Sequence, residues 1–202
     1  LHLSEIKVLV LDEADRMLDM GFSDQIEVIL KAIPTQRQTL LFSATMPSEI
    51  LTVVGRHMRM PVSVEIAPSG TKSEHVTHEL FVVKNEMKKD LLEKLLSQFR
   101  GSVLLFCRTK VAARRIANAL RQREHRAVEI HSDRTLSQRR EALEGFKSGK
   151  YRILVATDIA ARGIDVKGIE LVVNYDLPQD AEYYVHRIGR TGRAGCPGHA
   201  VS

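Results

Sequence analysis

Seven short apolar runs recur along this 202-residue chain, separated by stretches of helical periodicity, and this alternation restricts the fold more than any other feature. The runs occupy residues 8–11, 40–42, 62–66, 103–107, 127–130, 153–156 and 169–173. Most lack polar alternation, and a strand apolar on both faces belongs in a sheet covered on both sides, as parallel sheets are. Between the runs, Ile26, Ile29, Leu30 and Ile33 recur at helix spacing with Ser23 as the expected N-cap. Leu91, Leu92, Leu95, Leu96 and Phe99 form a second such stripe, and Pro47 suits the first turn of a helix that turns Val53 and Val54 inward. Strand and helix alternating to the end predict an α/β protein built from βα units.

Residues 67–75 have no periodicity and are rich in turn-forming and polar types, which marks them as a linker. After them come four of these runs and further strand-like stretches, about six in all, enough for a doubly wound domain over 76–202, with residues 198–202 reading as a strand just beginning. Before them lie three runs, too few to cover a sheet, so residues 1–66 read as the later part of a larger domain. Such a part is expected to expose sheet faces and edges. With 44% hydrophobic and 27% charged residues the chain reads as an ordinary soluble protein, and no apolar run is long enough to span a bilayer. No signal peptide opens it, and Cys107 and Cys196 make neither a disulfide framework nor a zinc site, which points to the reducing cytoplasm. The net charge of +5 suits a polyanionic partner without requiring one.

Chemistry concentrates where strands end. Residues 8–11 feed directly into Asp12-Glu13-Ala14-Asp15, placing carboxylates at the carboxyl edge of a parallel sheet, where open α/β sheets bind ligands. Such a pair can hold Mg²⁺ and polarise an attacking water; it can also simply oppose a helix dipole. Ser43-Ala44-Thr45 follows the next run, and its hydroxyls can bond to Asp12 or Asp15 or act as a helix cap. In the second half, Arg108 and Thr109 sit at the end of a strand, while Arg114, Arg115, Arg121 and Arg123 on the following helix suit a solvated face. Residues 156–165 form a small-residue turn closed by Gly163, which allows close approach to a sugar–phosphate chain. Residues 186–193, with arginines three apart between glycines, resemble guanidinium groups aimed at phosphate rather than a packing stripe.

A Gly-x-x-x-x-Gly-Lys-Ser/Thr loop is absent from the 202 residues. The nearest string, residues 145–151, is one residue short between its glycines and has Tyr151 where the Mg²⁺ hydroxyl belongs. It ends a helix that begins with a capping box, Thr135 with Gln138, so Gly149 is expected to be that helix's stop.

Taken in order, these blocks resemble the DEAD-box helicases of superfamily 2, and most closely the bacterial members, over essentially the whole chain. The resemblance implies RecA-like domains: parallel sheets flanked by helices, a partial first domain (1–66), a linker (67–75) and a nearly complete helicase C-terminal domain (76–202). It implies ATP and Mg²⁺ as cofactors and RNA as partner, with coupling of ATP hydrolysis to local duplex unwinding or RNP remodelling. Residue by residue, Asp12 would hold Mg²⁺ through water and Glu13 would place the hydrolytic water. Asp15, Ser43, Thr45 and His186 would couple hydrolysis to domain closure. Arg190 and Arg193 would be arginine fingers, and Asp165 would touch the ribose. Arg108, Thr109, Arg139, Thr157 and Gly163 would lie along the RNA backbone, read largely without regard to sequence.

Two departures accompany the resemblance. The family's His-Gly-Asp is His131-Ser132-Asp133 here, and its Gln-x-x-Arg has Leu136 in place of Gln ahead of Arg139. A free-standing RNA-binding module and a DNA helicase of the same superfamily are the alternatives. Lacking the phosphate loop, the chain alone is expected neither to hydrolyse ATP nor to unwind RNA.

Overall fold

The computed structural model describes residues 2–19, 21–65, 76–161, 164, 166–193 and 195–202. The chain divides into two compact units, Leu1–Thr71 and Lys72–Ser202. Residues 67–75, read as a linker, lie outside the described residues.

In the first unit, strands β1 (Val8–Leu11) and β2 (Gln38–Leu41) pair in parallel, with helices α1 (Ala14–Asp19), α2 (Ser23–Ala32) and α3 (Ser48–His57). Leu9 faces a core of Ile26, Leu30 and Ile33, with Met17, Leu18 and Val53 packed against it. The other face of the sheet leaves Val8, Val10 and Leu40 exposed. This asymmetry matches the expectation that residues 1–66, read as the later part of a larger domain, expose a sheet face. Other sequence expectations shift here. Ser23 is the first residue of α2 rather than its cap, and Ile29 points to solvent. Residues 61–65 form no strand, because none of the described strands pairs with them, and Val62 and Val64 are exposed. Pro47 sits one position earlier than expected, as the N-cap of α3.

The second unit holds a sheet of six parallel strands in the order β3-β8-β7-β4-β6-β5. These are β3 (Val76–Glu79), β4 (Ser102–Phe106), β5 (Ala127–Ile130), β6 (Ile153–Ala156), β7 (Ile169–Asn174) and β8 (Gly198–Val201). The helices are α4 (Lys88–Gln98), α5 (Lys110–Gln122), α6 (Leu136–Lys147), α7 (Asp158–Ala161) and α8 (Ala181–Ile188). Successive side chains of a strand go to opposite faces, and here both faces are dry. Val103 and Leu105 meet Leu92, Leu96, Ile116 and Leu120 of α4 and α5 on one side. Leu104 and Phe106 meet Phe146 of α6 and Ala160 of α7 on the other. Two covered faces are why these strands read as unbroken apolar runs. The edge strand β3, whose inward side chains alternate with the exposed Thr77 and Glu79, has no such run and so did not stand out.

Local signals within this unit hold. Thr135 Oγ1 accepts from Gln138 N at 3.3 Å while Gln138 Oε1 accepts from Thr135 N at 3.1 Å, closing the capping box of α6. Gly149 follows that helix at φ +77, a left-handed conformation that glycine adopts without strain. Gly198 meets a different demand. A Cβ there would stand 2.5 Å from the Gly192 amide nitrogen and closer still to the Thr191 hydroxyl, so β8 can enter only as glycine.

Candidate active site

In the first unit the chain leaves β1 at Leu11 and passes through Asp12 and Glu13 into α1. Phe42 N donates to Leu11 O at 2.8 Å and Ala14 N to Phe42 O at 3.0 Å, which ties this turn to the end of β2. Asp12 is exposed and its Oδ1 accepts from Glu13 N at 2.9 Å. Glu13 has φ +50, an uncommon conformation for a residue with a Cβ and one that the surrounding hydrogen bonds must hold in place. Its Oε2 lies 3.9 Å from Arg16 Nη1.

Asp15 does something different. It is 1% exposed, and its Oδ2 accepts from Thr45 N at 2.8 Å and Thr45 Oγ1 at 3.0 Å. Its Oδ1 accepts from Arg16 N at 2.9 Å. Ser43 Oγ accepts from Asp15 N at 3.1 Å and donates to Thr45 O at 2.6 Å, completing a closed ring of bonds. Burial pushes the Asp15 pKa up, but the amides of Thr45 and Arg16 and the hydroxyls of Thr45 and Ser43 outweigh it and hold the carboxyl below its ordinary value. Asp15 is therefore an ionised structural acceptor, and the Ser-Ala-Thr segment bonds to it rather than to Asp12. Among the described residues no group of three or more His, Cys, Asp or Glu converges as a metal cage. A lone exposed carboxylate still fits Mg²⁺, which keeps several waters and takes most remaining ligands from substrate phosphates. Asp12 is the residue so placed.

In the second unit the ladder lines up the carboxyl ends of four strands. Cys107 N donates to Ala156 O at 2.9 Å, Thr157 N to Ile130 O at 3.4 Å and Tyr175 N to Phe106 O at 3.0 Å. Arg108, Thr157, Asn174 and His131 thus emerge along one edge. Arg108 and Thr109 are exposed, with Arg108 N donating to Asp176 Oδ2 at 3.1 Å. The Thr109 hydroxyl caps α5 by accepting from Ala112 N at 3.1 Å. Arg139 lies in the first turn of α6 and is partly exposed, as is Thr157 at the start of α7. Leu136, standing where the family has Gln, is 67% exposed. His131 is fully buried, and burial, with Arg134 and Arg114 nearby, lowers its pKa, so it is neutral. The Cys107 thiol is pushed up to about 12 by burial and is unreactive. Gly163 and Asp165 lie outside the described residues.

The arginine block departs from its sequence reading. Arg187 is 3% exposed and Arg190 9%, so these guanidinium groups do pack, and can because they are paired. Arg187 Nε and Nη2 donate to Asp158 Oδ1 and Oδ2 at 2.6 and 2.8 Å, and its Nη1 donates to Asn174 Oδ1 and Asp176 O. Arg190 Nη1 donates to Ile164 O at 3.0 Å, and Arg193 Nε to Gly189 O at 2.6 Å. His186, on α8, is partly buried. Sequence reasoning passed over Arg187 and Asp158 although both lie within quoted blocks. The i, i+3 relation of Arg187 to Arg190 and the position of Asp158 directly after Thr157 were the available signal.

Comparison with known proteins decides what this geometry belongs to. Residues 87–195 match the helicase conserved C-terminal domain and residues 1–53 the DEAD/DEAH box helicase domain. The chain belongs to the DEAD-box RNA helicase family. It is 48% identical to the ATP-dependent RNA helicase CshA of Listeria monocytogenes and 43% identical to the ATP-dependent RNA helicase DbpA of Bacillus subtilis. All of the chain aligns in both cases, covering 39% and 42% of those proteins, so it spans about two fifths of their length. Among solved structures it resembles S. cerevisiae Dbp5 bound to RNA and ADP BeF3, with a TM-score of 0.89 and 32% identity over 99% of this chain and 54% of that one. The DEAD-box assignment makes both sheets RecA-like and gives the strand-end carboxylates and arginines their family context. No helix among the described residues is long and apolar enough to cross a membrane.

Proposed function

We propose that the protein containing this chain is a cytoplasmic, RNA-dependent ATPase that couples ATP binding and hydrolysis to local RNA duplex unwinding or RNP remodelling. The first unit is read as the later part of the ATP-binding domain and the second as the helicase C-terminal domain. The observation that carries the reading is the ring joining Asp15 to Ser43 and Thr45, which anchors α1 and keeps Asp12 and Glu13 at the carboxyl edge of β1. Asp12 would hold Mg²⁺ through water, and the metal would neutralise charge on the phosphates. Glu13 would orient the attacking water. Asp15, Ser43, Thr45 and His186 would couple that site to domain closure. Arg190 and Arg193 would serve as arginine fingers and Asp165 as the ribose contact.

RNA would run along the edge bearing Arg108, Thr109, Arg139, Thr157 and Gly163, held through phosphates and 2′-hydroxyls and so largely without regard to sequence. The relatives named as ATP-dependent RNA helicases and the RNA-bound Dbp5 support this reading. With no phosphate loop in its 202 residues, the chain by itself is inactive. In the whole protein, Glu13→Gln should retain ATP and RNA binding while phosphate release falls at least about a hundredfold. Hydrolysis within a few-fold of wild type would remove Glu13 from its role.

A further inference from the structure

The buried Arg187 has a role that neither the carboxylates nor the arginine fingers require. Its guanidinium grips Asp158 in a bidentate fork, bonds Asn174 and Asp176 O at the end of β7, and lies 5.0 Å over the ring of Phe106 at the end of β4. One side chain on α8 thereby fastens three strand ends. Three residues on, Arg190 bonds Ile164 O, and the Thr191 hydroxyl bonds Ile169 O. The end of α8 therefore holds the segment after β6 at both extremities, at Asp158 and at Ile164. Asp158 directly follows Thr157, whose carbonyl accepts from Ala160 N at 3.0 Å and Ala161 N at 2.9 Å, so a displacement at Thr157 carries α7 with it.

We propose that the Arg187–Asp158 fork makes α7 and the end of α8 a single rigid body, so that a nucleic-acid backbone seated at Thr157 sets the position of Arg190 and Arg193. Arg187 is then a positioning residue, acting through Asp158, and it is how RNA on this domain is felt by the arginines. The fork suits the task because two parallel bonds from a planar group fix orientation as well as distance, which a lysine in the same place cannot do. Removal of either partner also leaves the other poorly solvated. The inference rests on the RNA reading of the Thr157 edge.

The test is a titration of the 202-residue chain with oligouridylate, followed through backbone amide resonances. In the wild type, signals of residues 157–161 and of 190–193 are expected to move together at the same RNA concentration. In Asp158→Asn and in Arg187→Lys, residues 157–161 should still respond while the response at 190–193 falls several-fold, in line with loss of about 1 kcal/mol of coupling. An undiminished response at 190–193 in the variants overturns the proposal, since it would mean direct contact or another route. No response at 157–161 in the wild type overturns the RNA reading itself, and the coupling with it. Should a variant unfold, hydrogen exchange on the unmodified chain still decides. The amides of Ala160 and Ala161 should open with the same free energy as those of Gly189 and Thr191, and clearly different opening energies refute the single body.

Discussion

Asp15 shows how one residue type at neighbouring positions takes opposite roles. Asp12, three residues earlier, faces solvent, whereas the Asp15 carboxylate is enclosed by donors from Thr45 and Arg16 while its own amide donates to Ser43 Oγ. Asp15→Ala strands those donors and should destabilise the first unit by about 3 kcal/mol, against about 1 kcal/mol for Ser43→Ala. Denaturant melts of the chain measure both. Because the folded pKa of Asp15 is depressed, its ionised form stabilises the fold fully above the ordinary aspartate value of 3.8. That stabilisation is lost as pH falls through the lower folded value. The advantage of wild type over Asp15→Asn should thus be flat near neutrality and shrink only in strong acid, and an advantage that shrinks near pH 6 to 7, where histidines titrate, contradicts the assignment. The four-residue acidic motif was legible in the sequence, but its split into one exposed carboxylate and one buried acceptor was not. That split depends on a hydrogen bond to a residue 30 positions away.

The elements of the second unit were readable because their signals are local. Thr135 and Gln138 closed the capping box and Gly149 ended the helix, each through atoms within a few residues. Thr135→Ala should cost about 1 kcal/mol in thermal or denaturant unfolding. Gly198→Ala tests a long-range constraint instead. Its Cβ would strike backbone at Gly192, so a loss of about 2 kcal/mol is expected, more than a glycine replaced in an open strand. A neutral outcome would mean that residues 191–192 move aside at little cost. Elements were misread where tertiary pairing decides. Residues 62–66 had the composition of a strand, yet 61–65 find no ladder partner among the described strands. The arginine block suggested exposed cations, whereas Arg187 and Arg190 are buried because Asp158, Asn174 and Ile164 O receive them.

At the scale of the molecule, two units with unlike cores share the chain. The second has a sheet dry on both faces and should unfold cooperatively when residues 76–202 are produced alone. The first exposes Val8, Val10 and Leu40 on one sheet face, as sequence reading expected, and should limit solubility at high concentration. Trypsin is expected to cut first before about Val76, and initial cleavage within residues 1–66 or 76–202 would contradict the division. The measurement that most directly tests the central claim is phosphate release from ATP, with and without single-stranded RNA. It is made on the whole protein, on its Glu13→Gln variant and on these 202 residues alone. RNA should stimulate the whole protein strongly while single-stranded DNA of the same length does not, and both the variant and the 202-residue chain should be silent. Equal stimulation by DNA, or RNA-dependent release by the 202-residue chain, would contradict the account.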